Sequence, residues 1–196
     1  EDAGPIALLG LRQNENLLTN AEGQWEPNIY IPAFVRRYPF VLAEKPEGAE
    51  GDDFTVFLDE QYEGFNTEEG ERLFKEDGSD SELLKNAVGF LGDFQQNVAR
   101  THAFMALLRK YELLEARNIQ LQKQGKDGQQ GNGINLNGLF VVNEEKLRGL
   151  DEKAAKELLA AGAIGWIYAH LLSLANIDRL TRRLEVREAG ETASVN

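Results

Sequence analysis

Between Leu84 and Leu108, apolar residues recur at steps of three and four: Leu84, Val88, Leu91, Phe94, Val98, His102, Met105 and Leu108. Only a helix puts that spacing on one face, so the pattern predicts a long amphipathic helix within Leu83–Glu115. Ser79-Asp80-Ser81-Glu82 precedes it and fits a capping box, with Ser79 as N-cap and Glu82 reaching back from three residues on. Gly89 and Gly92 lie one turn apart inside the repeat, and each costs a helix about 1 kcal/mol relative to alanine. A break or kink is expected somewhere in Leu83–Glu115.

Strand signals surround this helix. Ile6–Arg12 is short, apolar and interrupted by Gly10, and Asn16–Thr19 is a second candidate strand; Asn20-Ala21-Glu22-Gly23 reads as the turn of a small antiparallel meander. Pro32 suits the first turn of a short helix over Ala33–Tyr38, which Pro39 ends. Phe40–Ala43 and Phe54–Leu58 read as strands joined by a loop around Gly48 and Gly51. Ile119–Gln122 and Ile134–Val142 read as a hairpin around a Gly/Gln-rich tip at 124–133, a composition typical of flexible connectors. Asn143 and Asp151 are candidate helix caps. Asp151–Ala161 and Ala163–Glu188 are the last two helices, with Gly162 as the stop between them. The second is apolar on two adjacent stripes and therefore central rather than peripheral. At its end, Arg179, Arg182, Arg183 and Arg187 suit the negative pole of the helix dipole. The expectation is an α+β fold over residues 1–196: a single domain in which short antiparallel strands and a hairpin pack on a long central helix and a C-terminal helical segment.

Charge is concentrated rather than spread. The chain carries a formal net charge of −12. Glu44–Glu82 holds fifteen acids against Lys45, Arg72 and Lys75, and the rest of the chain holds eighteen residues of each sign. Electrostatic steering should therefore come from one acidic lobe beside a neutral body. Such a balance argues against nucleic-acid binding, which needs excess positive charge to release counterions. No window reaches the roughly 18 apolar residues of a membrane span.

Most catalytic signatures fail. With no cysteine, disulfides, thiol nucleophiles, thiolate zinc and iron–sulfur ligation are excluded. The chain contains no His-Glu-x-x-His, no phosphate-cradling glycine loop and no Gly-x-Ser-x-Gly elbow. Asp77–Glu82 lacks the alternating oxygens of an EF-hand loop. No metal ligand set emerges, and the residues name no cofactor. One enzymatic constellation stays open: His102 and His170 with a carboxylate such as Asp59 or Glu60. The stronger feature is aromatic. Trp25, Tyr30, Phe34, Tyr38 and Phe40 fall within sixteen residues and are interleaved with Arg36 and Arg37. Trp, Tyr and Arg are the residue types that dominate binding hot spots. Trp25, Tyr30, Arg36, Arg37 and Tyr38 are accordingly the candidate partner-binding residues, with packing around a short helix, or carboxylates of the acidic stretch held by Arg36 and Arg37, as the alternatives.

Several blocks taken together resemble the SapC family of bacteria. They are Gly4-Pro5-Ile6-Ala7-Leu8-Leu9-Gly10-Leu11, Tyr30-Ile31-Pro32-Ala33-Phe34-Val35-Arg36-Arg37-Tyr38-Pro39-Phe40, Gly138–Leu147 and Tyr168-Ala169-His170-Leu171-Leu172-Ser173-Leu174. The resemblance follows the family's order along nearly the whole chain. It implies a bacterial protein associated with surface layers or the cell envelope, with a protein or envelope component as partner. It also implies a link to outer-membrane nutrient uptake, and it transfers no catalytic residue. Family members carry a segment upstream of the Gly-Pro-Ile block. Because this chain begins at Glu1 without Met, such a segment is expected to precede it, and its compartment, cytoplasmic or envelope-associated, stays open.

Overall fold

The repeat around Leu91 becomes one unbroken helix in a computed structural model that describes residues 4–44, 54–124 and 130–194. In chain order the elements are α1 (Ala33–Arg36), β1 (Phe40–Glu44), β2 (Phe54–Leu58), α2 (Glu82–Lys110), β3 (Leu114–Gln124), β4 (Gln130–Val142), α3 (Glu144–Arg148), α4 (Glu152–Ala160), α5 (Ala163–Ser173) and α6 (Asn176–Ser194). The architecture is α+β, with two separate two-stranded antiparallel sheets, β1–β2 and β3–β4. The expected β1–β2 connection around Gly48 and Gly51, and residues 125–129 of the expected Gly/Gln loop, lie outside the described residues. Among the described residues no single helix is long and apolar enough to cross a membrane.

α2 differs from its sequence reading in two ways. Its cap is Ser81, whose Oγ accepts from the Leu84 N–H at 3.2 Å. Ser79 instead donates its own N–H and O–H to Asp77 Oδ1, closing a turn. Glu82 pairs with Lys85 rather than reaching back. Nor does the helix break at its glycines. A side chain added at Gly89 or Gly92 would meet nothing within 4 Å, so neither marks a close approach. Their combined propensity cost of about 2 kcal/mol is spread over 29 residues of helix. The helix stops where Glu112 turns to φ 49° and the Leu113 N–H bonds back to the Leu108 carbonyl.

Contacts divide the chain into a larger unit, Glu1–Ile29 with Thr101–Asn196, and a smaller one, Tyr30–Arg100. In the larger unit, β3 and β4 pair from Leu114↔Val142 to Gln124↔Gln130, with register irregularities after Arg117 and Leu121. Residues Gln130–Gly133, expected in the loop, are thus strand. Asn143 and Asp151 cap α3 and α4 as anticipated, accepting from the Lys146 and Ala154 N–H groups. Gly162 adopts φ 69°, a left-handed conformation that lets α5 leave α4 at once. The expected helix Ala163–Glu188 is divided by a turn at Leu174–Ala175 into α5 and α6.

Two apolar clusters hold this unit together. Met105, Leu108, Leu113, Val142, Leu147, Leu158, Ala163 and Ile167 form the first, at the end of α2, the base of the hairpin and α3–α5. Each fully buried Leu or Ile contributes about 1.5–3 kcal/mol relative to exposure. Leu11 and Leu17 join Leu180 and Leu184 of α6 in the second, flanked by Leu121, Ile134 and Leu136 of the hairpin.

The N-terminal segment is not the expected meander. Leu11 and Leu17 are buried, yet the segment forms no strand ladder among the described residues: it has the isolated bridge Thr19↔Trp25 and single backbone bonds such as that from the Leu17 N–H to the Leu9 carbonyl at 2.8 Å. Guanidinium groups replace the missing strand partner. Arg187 donates to the Asn16 and Thr19 carbonyls at 2.9 and 2.6 Å, and Arg183 to the Leu17 carbonyl at 3.2 Å. Glu15 closes the preceding loop by accepting from the Leu11 and Arg12 N–H groups. The chain passes so close at Gly10 that a Cβ there would overlap the Glu15 carbonyl.

Candidate functional site

The residues around α1 gather in the smaller unit. Pro32 is the N-cap residue of α1, and its carbonyl accepts from the Val35 and Arg36 N–H groups. That turn sends Arg36 and Arg37 to separate aromatic pairs. The Arg36 guanidinium lies 5.1 Å from the ring centres of both Tyr30 and Phe90. It also donates to the Tyr30 hydroxyl at 3.0 Å and the Ile31 carbonyl at 3.1 Å. Arg37 lies 4.2 Å from the Phe34 ring centre and 5.2 Å from that of Phe94. Phe90 and Phe94 are one turn apart on α2, so one helical face supplies both outer partners. Among the described residues neither guanidinium pairs with a carboxylate. They engage aromatic faces, an arrangement worth about 0.5–1 kcal/mol each at exposed sites.

Despite these contacts the rings face solvent: Tyr30 is 73% exposed, Phe34 64% and Tyr38 51%. Arg36 is exposed and Arg37 half-buried. Tyr38 extends the surface toward the loop after β2. Its hydroxyl donates to Asp59 Oδ2 at 2.9 Å, and its ring meets Tyr62 edge-on at 5.3 Å. The bond to Asp59, with partial desolvation and the neighbouring negative charge, holds the phenol above its ordinary pKa. Tyr62 meets Phe65 edge-on, and Phe65 meets Phe40. Phe57 and Phe74 are more than half exposed in the same unit. The result is an aromatic surface with fixed cations, in a unit of sixteen acids and seven bases.

The other candidates are distributed. Trp25 belongs to the larger unit, half-buried at its bridge to Thr19. Asp59 Oδ1 accepts from the Gln61 N–H, and Glu60 is exposed. His102 is exposed on α2 rather than turned into the core its spacing suggested. His170 is half-buried, and its Nε2 accepts from the Val142 N–H at 3.2 Å. Burial depresses its pKa, which keeps that nitrogen free to accept. Among the described residues no group of three or more His, Asp or Glu side chains stands close enough to hold a metal ion. A polar tie that sequence reasoning missed joins the end of α2 to α4: Glu157 accepts from Lys110 Nζ at 2.6 Å and from the Tyr111 hydroxyl at 2.6 Å. The Lys110 bond, then the Tyr111 bond, holds the Glu157 carboxyl below its usual range.

Comparison with protein families shows that a model of the SapC family matches residues 1–180. No curated protein matches the chain, and no solved structure matches it.

Proposed function

We propose that this chain, which belongs to the SapC family, is a non-enzymatic binding or accessory protein of the bacterial cell envelope. In this reading it is associated with surface layers or outer-membrane nutrient uptake. One observation carries the binding role: Tyr30, Phe34, Arg36 and Tyr38 are exposed beside the half-buried Arg37, and both arginines are held by ring faces and pair with no carboxylate among the described residues. Rigid aromatic rings offer a partner large contact area at low entropic cost, and a guanidinium held against them adds a directional donor. The envelope assignment rests on the family.

Site-specific photocrosslinking tests both halves. A photoreactive phenylalanine at Phe34, in cells that make the protein natively, is expected to give a discrete adduct with an envelope component. Tyr30→Ala with Arg36→Ala should abolish that adduct while leaving the circular dichroism spectrum unchanged. An adduct that survives the double variant, or partners drawn only from outside the envelope, would overturn the reading.

A further inference from the structure

The larger unit contains an open groove of about 910 Å³ between the N-terminal segment and α6. Its walls include Thr19, Asn20, Arg182, Arg183, Val186 and Arg187, and among the described residues Glu26 is the one acid that lines it. Among the described residues three guanidiniums thus face one carboxylate, a local excess of positive charge in a chain of net charge −12.

The three arginines are not equally committed. Arg187 spends both terminal nitrogens on the Asn16 and Thr19 carbonyls. Arg183 spends only Nη1, on the Leu17 carbonyl and on Glu26 at 2.6 Å. Its Nη2 and Nε have no partner among the described residues. Arg182 is exposed, and its guanidinium makes no bond among the described residues. Dipole compensation does not account for this placement, because Arg182 and Arg183 lie near the middle of α6, well before its last turn. Beside the free donors, Val186 is 73% exposed and Leu17 lines the floor. The volume lies within the range of small-molecule sites and far exceeds what a lone inorganic anion fills.

We propose that this groove binds a phosphate-bearing molecule, its phosphate held by Arg182 and the unspent N–H groups of Arg183, and its apolar part resting on Val186. Guanidinium forks match phosphate oxygens two at a time, which favours this chemistry over a simple point-charge contact. Glu26 keeps Arg183 aimed along the wall. Arg187 fixes the loop that forms the opposite side, so the groove exists before the ligand arrives. The headgroup of an anionic phospholipid and a soluble phosphate ester share this chemistry.

The test is side-chain NMR of the full chain, following the Arg Nε–Hε signals during titration with inorganic phosphate at constant ionic strength. Saturable shifts are expected at Arg182 and Arg183 and not at Arg117 or Arg148. Arg182→Gln should weaken phosphate binding about tenfold or more, the loss expected when a charged hydrogen-bond donor is removed. Because Arg182 holds nothing in the fold, this variant should keep the wild-type amide spectrum. Absence of saturable shifts, or equal affinity in Arg182→Gln, overturns the proposal. Flotation with phosphatidylglycerol vesicles, against phosphatidylcholine vesicles as control, separates the two sources. Flotation lost in Arg182→Gln assigns the lipid headgroup, and phosphate binding without flotation assigns a soluble ester.

Discussion

Among the described residues, fourteen buried apolar side chains lie in the larger unit, and only Pro39 and Leu91 are buried in the smaller. The smaller unit is nonetheless rich in aromatics; it exposes Tyr30, Phe34, Tyr38, Phe54, Phe57, Tyr62 and Phe74. Its order comes from arginine–ring stacks, edge-on ring contacts and a two-stranded sheet, while sixteen acids repel one another around it. Isolated two-stranded sheets are marginal in water, and segments with few buried apolar contacts open below the global unfolding free energy. One region invests its apolar residues in a core and the other leaves them available, the division expected of a scaffold and a recognition surface.

The sharpest way to break this comparison is to remove a side chain from each region. Leu158→Ala, at a position with no exposure, should destabilise the protein by about 2–5 kcal/mol in urea unfolding. Phe57→Ala, at a position 55% exposed, should change stability by about 0.5 kcal/mol or less. Similar losses from the two variants would mean that the aromatic residues are core after all.

Next in size is Arg187→Ala. It removes charge-assisted bonds to two carbonyls, and its expected cost is about 1.5–3 kcal/mol. Amide exchange should accelerate in residues 9–26 while β3 and β4 keep their protection. Uniform acceleration would show that the N-terminal segment is not clamped separately by α6.

A smaller effect is expected from Arg36→Ala, about 0.5–1 kcal/mol, confined to the smaller unit. Arg36→Lys should recover little of it, because an ammonium cannot stack on Tyr30 and bond to its hydroxyl as a planar fork does. Full recovery in the lysine variant would reduce the site to simple charge.

The smallest effect is a pH dependence in the larger unit. Burial favours neutral His170, so its folded pKa lies below the unfolded value of 6.5. Its contribution to stability is complete above that value and is lost as pH falls from about 6.5 through the folded pKa. Urea midpoints measured at pH 7.5 and 5.5 should differ less in His170→Gln than in the wild type. An unchanged pH response in the variant would remove His170 from the account.

Short-range chemistry was legible in the sequence, and distant partners were not. Asn143 and Asp151 act on N–H groups three residues away, and β1 and β2 follow their own apolar runs. The N-terminal strands failed because Asn16, Leu17 and Thr19 satisfy their carbonyls with arginines more than 160 positions away. Gly89 and Gly92 suggested a kink that tertiary context does not require. The turn at Leu174–Ala175 carries no Gly or Pro to announce it. At the candidate site, the Tyr30–Tyr38 block was visible as composition. That Phe90 and Phe94 complete its stacks was not, because both also fit the apolar period of a helix. His102 obeyed that same period and is exposed, since a stripe ends wherever its covering element ends.

Native-state hydrogen exchange under increasing urea tests the division between the two units most directly. The account predicts that amides of α1, β1 and β2 exchange through local openings well below the global unfolding free energy. Those of β3, β4 and α5 should exchange only with global unfolding. One common opening free energy across both sets would contradict it.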